Sequence, residues 1–513
     1  MLPSMIYGLI FRGLISLIEA APFILAGFFT AAIFRRFCGY ETTRRLFGEG
    51  TRWALVRAWL LGMLLPVCSL GVIPVVRELR RAGIRGGTIL AFAISGPLFN
   101  PLSLLYGLTL SEPVAILSFA GCSLLIVTVA GILWDRFFPD SATHVVQEPM
   151  IQYGYRRMLS LLLTTARDTA GACMGWILLG LLGVGLLGAV LPSNGLQHAF
   201  NADNPVAPLL MAGLALPVYA TPMLAMSQLG SMFQHANSIG AAFVLLILGA
   251  GVNLGGIGWM YAEFGFRRTS VWLLVLLSIV LGLAYSVDKP LFPRDVEPAN
   301  HTHAFDIYCR PFADTELNPA LAFQTKLERD VPAWQWRPLM LLTTIAVSGL
   351  ILKVVDRQGR LDRWLEQPNE SAGPGRYDTV IPAPVLGLLC LSGLVAVSIA
   401  GCFTYYPNPA DSLEVMTDAR IGALSAALTM NPVETKYWAE RYDDWSRKLE
   451  VGAWLRHGSL SEYHRWRTRI LREQLEELEH EVEDGEREAV TRLVAAISRS
   501  HRRMRRAFLE EID

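Results

Sequence analysis

Long charge-free stretches constrain this chain more than any other feature. Between positions 204 and 262 lie 59 consecutive residues without Asp, Glu, Lys or Arg. A helix needs about 20 apolar residues to cross a hydrocarbon core of roughly 30 Å. The stretch is therefore long enough for two crossings joined by a polar turn at Gln234, His235 and Asn237. Of the 513 residues, 52% are hydrophobic and 18% are charged, which predicts an integral membrane protein and argues against a soluble enzyme.

Similar apolar windows recur and predict an all-α, polytopic membrane protein with about eight core spans and two extra ones. The core windows are Gly13 to Phe34, Ala58 to Val76, Gly86 to Leu110, Pro113 to Trp134, Thr169 to Leu191, Pro205 to Phe233, Ile239 to Ala262 and Thr269 to Val287. Pro338 to Leu352 and Val380 to Tyr406 form the two extra spans. The N-terminus lacks the basic segment and cleavage site of a signal peptide, so the first span is expected to be retained.

Charge is concentrated at the C-terminus. Of the 45 basic and 45 acidic side chains, 17 and 21 lie in the last 104 positions. This composition predicts a soluble helical tail at 407–513. Its apolar stripe favours a helical hairpin divided near Gly485 over a coiled coil. The stripe consists of Leu471, Leu475, Leu478 and Val482. The zero net charge of the chain argues against a general nucleic-acid binder.

Basic residues follow both of the first two predicted spans. The clusters are Arg35, Arg36, Arg44 and Arg45, then Arg77, Arg80, Arg81 and Arg85. Because Lys and Arg mark cytoplasmic loops, both clusters cannot be cytoplasmic if both flanking segments cross fully. Either one segment is re-entrant or the rule is weak here. We expect a cytoplasmic N-terminus, and an even number of spans would place the tail on the same side.

Three features recur at nearly one spacing and predict a duplicated four-helix unit. Leu65 to Ser69 matches Leu216 to Ala220 at an offset of 151, Gly96 to Asn100 matches Gly249 to Asn253 at 153, and Glu19 matches Asp168 at 149. The predicted organisation is a permease core at 1–288 with repeats at about 5–138 and 157–288, a polar connection at 289–337, two additional helices at 338–406 and the tail. The repeats would be parallel unless a re-entrant segment inverts them.

Prolines interrupt predicted spans in both halves of the core: Pro66, Pro74, Pro97, Pro101, Pro217 and Pro222. Each removes a backbone donor, so the helix breaks or bends there. The freed polar groups are tolerated only where protein or a water-filled cavity receives them, which is how transporters build a site near the midplane. The alternative is a simple kink for packing. The predicted substrate path consists of Pro66, Cys68, Ser69, Pro74, Pro97, Asn100, Tyr219, Thr221 and Asn253.

Three side chains on this path have distinct chemistry. Asn100 and Asn253 each follow small residues, where an amide lines the path or bonds a neighbouring helix. Cys68 lies between two prolines, and its thiolate would suit a thiophilic metal or metalloid. The alternative is an inert buried cysteine. The seven cysteines, an odd number, do not indicate a disulfide framework.

Two acids lie inside predicted spans. Glu19 and Asp168 are costly to bury and are candidates for proton coupling. Structural ion pairs are the alternative, because Arg12 lies seven residues before Glu19 and Arg167 adjoins Asp168.

The polar connection after the core holds a short group of soft ligands. His301, His303, Asp306 and Cys309 are a candidate metal site, because His and Cys suit Zn²⁺ and related ions. Their spacing matches no standard zinc motif, so an ordinary folded loop is the alternative.

The broken segments resemble a known family. The matching runs are Gly62 to Pro74, Arg80 to Gly83 and Gly96 to Pro101. They resemble the predicted permeases of the YraQ type, to which the ArsP organoarsenical efflux permeases belong. The resemblance covers about residues 5 to 288 and implies a helix bundle that moves a small solute past Cys68, Ser69 and Asn100. That family often repeats a Cys-Ser element in its second half, whereas this chain has Tyr219 and Ala220, which leaves another cargo open.

These observations predict a permease of a bacterial plasma (inner) membrane, without enzyme activity or a cofactor. It would export a small solute by alternating access, the cargo being a thiophilic metalloid, an organoarsenical or another small ion. No Walker A, His-Glu-x-x-His or Gly-x-Ser-x-Gly motif occurs. A membrane-anchored receptor or assembly scaffold acting through the tail is the alternative, and the C-terminal helices are where a homo-oligomer or partner protein would bind. A thiol relay would need a second cysteine near Cys68.

Overall fold

The computed structural model describes residues 2–110, 113–139, 155–192, 195–196, 198–293, 302, 304–312, 318–367 and 382–510. Within these residues the structure is helical and no strand occurs. Six of the described helices are long and apolar enough to cross a membrane, and a seventh crossing results if one bent pair is counted as a span. The predicted all-α polytopic fold is confirmed.

The chain forms two compact units. The first contains Met1–Leu104 and Ser111–Val397, and the second contains Leu105–Leu110 and Ser398–Asp513.

Apart from α2 in the first half and α8 in the second, the two halves of the core have the same order of helices: a long helix, two pairs of short helices and a second long helix. The first half contains α1 (Leu2–Ile33), which continues through a π-helical turn (Phe34–Cys38) into α2 (Gly39–Leu46), then α3 (Ala54–Leu64), α4 (Val72–Arg81), α5 (Gly86–Ser95), α6 (Pro101–Leu110) and α7 (Pro113–Phe137). The second half contains α8 (Tyr155–Thr169), α9 (Ala172–Val190), α10 (Ala207–Ala215), α11 (Pro222–Gln234), α12 (Ile239–Val244) with a π-helical end (Leu245–Ala250), α13 (Leu254–Phe264) and α14 (Phe266–Asp288).

Three of the four breaks between paired short helices contain a proline, whereas the α12–α13 break consists of Gly251, Val252 and Asn253. Pro66, Pro97 and Pro217 lie in the non-helical segments, where no helical hydrogen bond is lost. Pro101 and Pro222 are the first residues of α6 and α11, a position that suits proline because its fixed φ is already helical. The third residue of α4 is Pro74, where the backbone N–H would have no partner within the helix.

The α3–α4 pair does not cross the core. At the start of α3, Arg57 donates a 3.4 Å hydrogen bond to the carbonyl oxygen of Arg45. At the end of α4, Arg44 donates a 3.2 Å hydrogen bond to the carbonyl oxygen of Ala82. Both ends of the pair therefore lie beside α2, so α3 and α4 form a re-entrant hairpin, called hairpin 1 (54–81). The end of the core that holds α2 is called the first end.

The α10–α11 pair, called hairpin 2 (207–234), also returns to its starting end. Tyr285 donates to the carbonyl oxygen of Pro205 at 2.9 Å, and Ser238 donates to Asp288 at 2.9 Å. The residues flanking hairpin 2 therefore both lie beside the C-terminus of α14. That end of the core is called the second end.

Hairpin 2 enters from the end opposite to hairpin 1. The backbone N–H of Gly87, which follows hairpin 1, donates to Asp135 near the end of α7 at 2.8 Å. The neighbouring Trp134 packs on Trp272 near the start of α14. From there the 23 residues of α14 span about 34 Å, which carries Asp288 to the second end. The two halves are thus inverted relative to each other.

Two windows that the sequence reads as crossings, Ala58 to Val76 and Pro205 to Phe233, are therefore hairpins that return. A hydropathy window responds to apolar length and not to the direction that a chain takes after a break. Hairpin 1 also explains the disagreement between the two arginine clusters, because a re-entrant segment leaves both clusters at the first end.

The α12–α13 pair does cross, with a bend of 57° at its break. At the start of α12, the N–H of Gly240 donates to Asp288 at 2.6 Å, so the pair begins at the second end. At its finish, Glu263 pairs with Arg80 of hairpin 1 at 3.1 Å.

Beyond the core, the first unit contains α15 (Pro319–Asp330), α16 (Trp336–Val355), α17 (Arg360–Glu366) and most of α18 (Ala383–Tyr405). The second unit contains α19 (Pro409–Leu428), α20 (Pro432–His457), α21 (Glu462–Glu483) and α22 (Arg487–Glu510). These four helices share one apolar core that includes the predicted stripe from Leu471 to Val482. Gly485, with a φ of 81°, separates α21 from α22.

Candidate functional site

The tip of each hairpin touches a long helix through a glycine. A Cβ at Gly27 of α1 would overlap the carbonyl oxygen of Gly71 in hairpin 1. A Cβ at Gly183 of α9 would lie 2.6 Å from the carbonyl oxygen of Pro217 in hairpin 2. Because only glycine leaves room for this approach, α1 and α9 hold the tips well inside the core.

Side chains from the two tips meet. The thiol of Cys68 is fully buried and accepts a 3.3 Å hydrogen bond from the N–H of Gly71. The phenol of Tyr219, from the other tip, lies next to this thiol. Residues separated by about 150 positions and entering from opposite ends thus form one contact, which the sequence could not place.

The breaks of the other two helix pairs lie close to the same region. Val67 of hairpin 1 would be 3.1 Å from a Cβ on Gly96, which follows α5. Leu98, between α5 and α6, would be 3.1 Å from a Cβ on Gly251, between α12 and α13. The breaks on both sides of the duplication therefore converge on one buried region.

Buried polar atoms at these breaks lack partners. Among the residues that the structure describes, Ser69 Oγ and Asn253 Nδ2 are buried and make no hydrogen bond, whereas the Tyr219 phenol has the Cys68 thiol as its neighbour and partner. Each such buried group costs about 1–3 kcal/mol when it is left unsatisfied. Both atoms can donate a hydrogen bond, so a solute or water with acceptor atoms would satisfy them.

The two asparagines cap half-helices, a role that sequence reasoning missed. Asn253 Oδ1 accepts from the N–H of Gly256 at 2.8 Å at the start of α13. Asn100 Oδ1 accepts from the N–H of Ser103 at 2.7 Å at the start of α6. Thr221 likewise caps α11, accepting from Leu224 at 3.1 Å. The signal was present in the sequence, because a capping residue precedes proline in Asn100-Pro101 and Thr221-Pro222.

Glu19 lies next to the meeting point of the tips. With Phe23 and Gly27 it shares the face of α1 that contacts Gly71, since positions four apart lie on one helix face. Its electrostatic neighbours are the guanidinium of Arg12 and the phenols of Tyr219 and Tyr308. Within the described chain Glu19 makes no hydrogen bond or ion pair.

Arg12 does not pair with Glu19. Its guanidinium instead donates to the carbonyl oxygens of Asp306 and Cys309, both at 2.9 Å. A charged donor is thereby used to fix the backbone of the 304–312 segment, which leaves the Glu19 carboxyl without a hydrogen-bonded counter-ion.

Asp168 has a different environment. It forms a 3.4 Å ion pair with Arg77 of α4, near the first end and away from the hairpin tips. The adjacent Arg167 pairs with Asp356. Desolvation opposes ionisation there, but hydrogen bonds from Leu361, Arg167 and Arg360 lower the pKa of Asp356.

The segment 304–312 closes against hairpin 2. Tyr308 donates to Gln228 Oε1 at 3.1 Å, and Gln228 Nε2 donates to the carbonyl oxygen of Ala304 at 3.0 Å. Of the predicted metal ligands, Asp306 and Cys309 lie in this segment, whereas His301 and His303 lie outside the described residues. The described residues contain no group of three or more His, Cys, Asp or Glu suited to a metal.

Comparison with known proteins links these features to a family. A family model described as a predicted permease, ArsP_1, matches residues 10–287. The chain is also similar to the UPF0718 protein YcgR of Bacillus subtilis (strain 168), with 26% identity over 277 residues, which are 53% of this chain and 93% of that protein. No solved structure matches. The matched region covers both inverted halves except the first eight residues of α1 and the last residue of α14, and the helices after α14 fall outside it.

Proposed function

This chain belongs to the predicted permease family ArsP_1, and from that premise we propose that it exports a small solute by alternating access to the region between the two hairpin tips. A multi-pass membrane permease is the coarse function that the family carries. The observation that most supports the finer proposal is the contact between Cys68 and Tyr219, because it brings together hairpins that enter from opposite ends. Inverted repeats of this kind let one site face each side in turn.

The chemistry of the meeting point favours a soft, acceptor-bearing cargo. Cys68 supplies a thiol, which suits a thiophilic metalloid or an organoarsenical. Ser69 and Asn253 supply hydrogen-bond donors without partners in the described chain. A trivalent organoarsenical with hydroxyl groups would use both kinds of ligand, and another small ion with oxygen acceptors would use the donors alone.

Glu19 is the better candidate for proton coupling. It is close to the hairpin tips and has no ion pair in the described chain, whereas Asp168 has Arg77 as a dedicated partner. A carboxyl without a fixed counter-ion can gain and lose a proton during a transport cycle at a lower electrostatic cost.

The arginine clusters support an orientation. Because hairpin 1 returns, both clusters lie at the first end, and the positive-inside rule then assigns that end to the cytoplasm. The start of α1 would lie on the opposite side, which reverses the sequence-based expectation for the N-terminus. Export from a bacterial plasma (inner) membrane would proceed from the first end to the second.

A scaffold function is the second candidate. It is favoured by the second unit, whose four helices bury an apolar core of their own. In that case deletion of residues 410–513 would abolish function, while substitutions at the hairpin tips would be silent. The permease proposal expects the reverse.

Flux into proteoliposomes tests the permease proposal. The full chain would be assayed with a trivalent organoarsenical, thiophilic metal ions and small organic anions, with and without a pH gradient. We expect Cys68→Ala to lose most of the flux of thiophilic solutes. Cys122→Ala, on α7, is the matched control and should transport normally. If no solute is moved by the wild type, or if Cys68→Ala moves every solute at the wild-type rate, the proposed cargo site is wrong.

A further inference from the structure

One end of the helical bundle in the second unit lies beside a membrane span. Helix α18 is apolar enough to cross a membrane, and its last turns belong to the second unit. Near the end of α20, Arg456 donates to the carbonyl oxygens of Tyr406 at 2.8 Å and Phe403 at 3.2 Å. The C-terminus of α20 therefore lies at the level where α18 leaves the bilayer.

The antiparallel order of the bundle brings two more helix termini to this end. Helix α21 follows α20 after a short turn, and Arg472 of α21 pairs with Glu450 of α20 at 2.6 Å. Helix α22 runs back along α21, since a 3.0 Å hydrogen bond joins His464 Nε2 to the carbonyl oxygen of Ala507. The start of α21 and the end of α22 thus lie with the end of α20. Together, residues 456–470 and 499–510 form what we call the proximal end.

Charge is polarised along this bundle, although the first turns of α19 at the same end add the exposed acids Asp411, Glu414 and Asp418. The proximal end has nine arginines and two glutamates, whereas residues 471–488, called the distal end, have nine acidic residues and two arginines. The proximal arginines are Arg456, Arg465, Arg467, Arg469, Arg499, Arg502, Arg503, Arg505 and Arg506, and all but Arg465 and Arg467 are exposed. Ordinary solvation of a helix hairpin does not require the two signs to be separated in this way.

Aromatic side chains accompany the arginines. Tyr463 and Trp466 are 37% and 49% exposed. The guanidinium of Arg467 lies over both rings, at 4.7 and 4.5 Å from their centroids. Tyr and Trp with one polar edge are the side chains that favour the headgroup level of a membrane.

We propose that the proximal end is a docking surface for anionic lipid headgroups of the bilayer that contains α18. Arginine forms paired hydrogen bonds with phosphate and is attracted by the negative surface potential of acidic lipids. The exposed rings of Tyr463 and Trp466 insert at the same level. The acidic distal end is repelled by the same surface, so the bundle stands with its arginines towards the membrane.

Hydrogen–deuterium exchange of the full chain in nanodiscs tests this proposal. One set of discs contains only phosphatidylcholine, and the other contains phosphatidylcholine with phosphatidylglycerol. We expect amide exchange in 461–470 and 499–510 to be about tenfold slower in the anionic discs. This difference should disappear in about 1 M salt, where the Debye length is about 3 Å. Exchange at 473–484 should be the same in both lipids.

A matched pair of variants separates docking from folding. Arg503→Glu with Arg506→Glu should abolish the lipid-dependent protection, while Glu483→Lys with Glu486→Lys at the distal end should leave it intact. Protection of the core around Leu475 reports whether each variant folds. Equal exchange in both lipids overturns the proposal. So does protection that appears only when two copies share a disc, which would indicate association between arginine and acidic ends of two chains.

Discussion

Gly27 of α1 and Gly71 of hairpin 1 are in direct backbone contact, with no space for a Cβ at either position. The contact fixes how deeply hairpin 1 enters the core, because α1 is a continuous helix of 32 residues and its glycine provides a rigid stop. Cys68 is held opposite Tyr219 as a consequence.

We expect Gly27→Ala to displace hairpin 1 and to reduce transport. The added methyl group would meet the Gly71 carbonyl, and overpacking of this kind costs about 1–3 kcal/mol. Gly13→Ala is the matched control on the same helix, because nothing lies within 4 Å of a Cβ there. Thermal unfolding in detergent and solute flux are the measurements. Equal behaviour of the two variants would show that the contact does not position the hairpin.

The capping asparagines allow capping to be separated from solute binding. Serine also caps helices well, so Asn253→Ser should change the free energy of unfolding by only a few tenths of a kcal/mol. It removes Nδ2, however, which is one of the unpartnered donors near the meeting point in the described chain, and flux should fall. Asn408→Ser is the control, because Asn408 caps α19 in the second unit, outside both hairpins, by accepting from the N–H of Asp411 at 2.8 Å, and this variant should retain both stability and flux. A fully active Asn253→Ser would remove this amide from the proposed site.

The two intramembrane acids should behave differently. Glu19→Gln is expected to abolish the response of flux to a pH gradient, because the carboxyl that makes no direct ion pair is lost. Asp168→Asn should keep that response and lower stability by about 1 kcal/mol, since it breaks a partly exposed ion pair with Arg77. Flux measured with and without a pH gradient shows which of the two acids couples transport to protons. Coupling that survives in Glu19→Gln and fails in Asp168→Asn would reverse the assignment.

His501 should make the helical bundle sensitive to acid. Burial, reinforced by the positive charges of Arg420 and Arg505, lowers its pKa to about 4, and a 2.6 Å hydrogen bond joins it to Tyr442. The unfolded chain gains a proton near pH 6.5, where the folded bundle does not. Stability is therefore complete above about pH 6.5 and falls by about 3 kcal/mol as the pH approaches 4.

Hydrogen exchange of the bundle amides in the full chain, corrected for intrinsic rates at each pH, measures this loss. At neutral pH, the free energy of unfolding of His501→Gln should be lower than that of the wild type by the contribution of the Tyr442 hydrogen bond. Its stability should, however, fall less steeply as the pH is lowered. The comparison separates the effect of His501 on the pH profile from that of Glu479, because burial raises the pKa of Glu479. Identical pH profiles would rule out His501 as the cause.

Residues close together in the sequence were sufficient to predict several features of the structure. Pro66, Pro97 and Pro217 identify the breaks because proline cannot continue a helical hydrogen-bond pattern at those positions. The spacing of Leu471, Leu475, Leu478 and Val482 identifies the buried face of α21 because that face follows from helical periodicity. The sequence also predicted a region of unpaired polar groups at the breaks, although it did not identify Asn100 and Asn253 as caps.

By itself, then, the sequence determined that the chain lies in a membrane, where three of its helix pairs break and which helices carry most of the charge. Each of these depends on residues within one or two helical turns. Only the tertiary structure decided that α3–α4 and α10–α11 return, that the halves are inverted, that Cys68 meets Tyr219 and that Asp168 pairs with Arg77. The direction of a chain after a break depends on packing against distant helices, such as the contact of Gly27 with Gly71, and no local pattern encodes that choice.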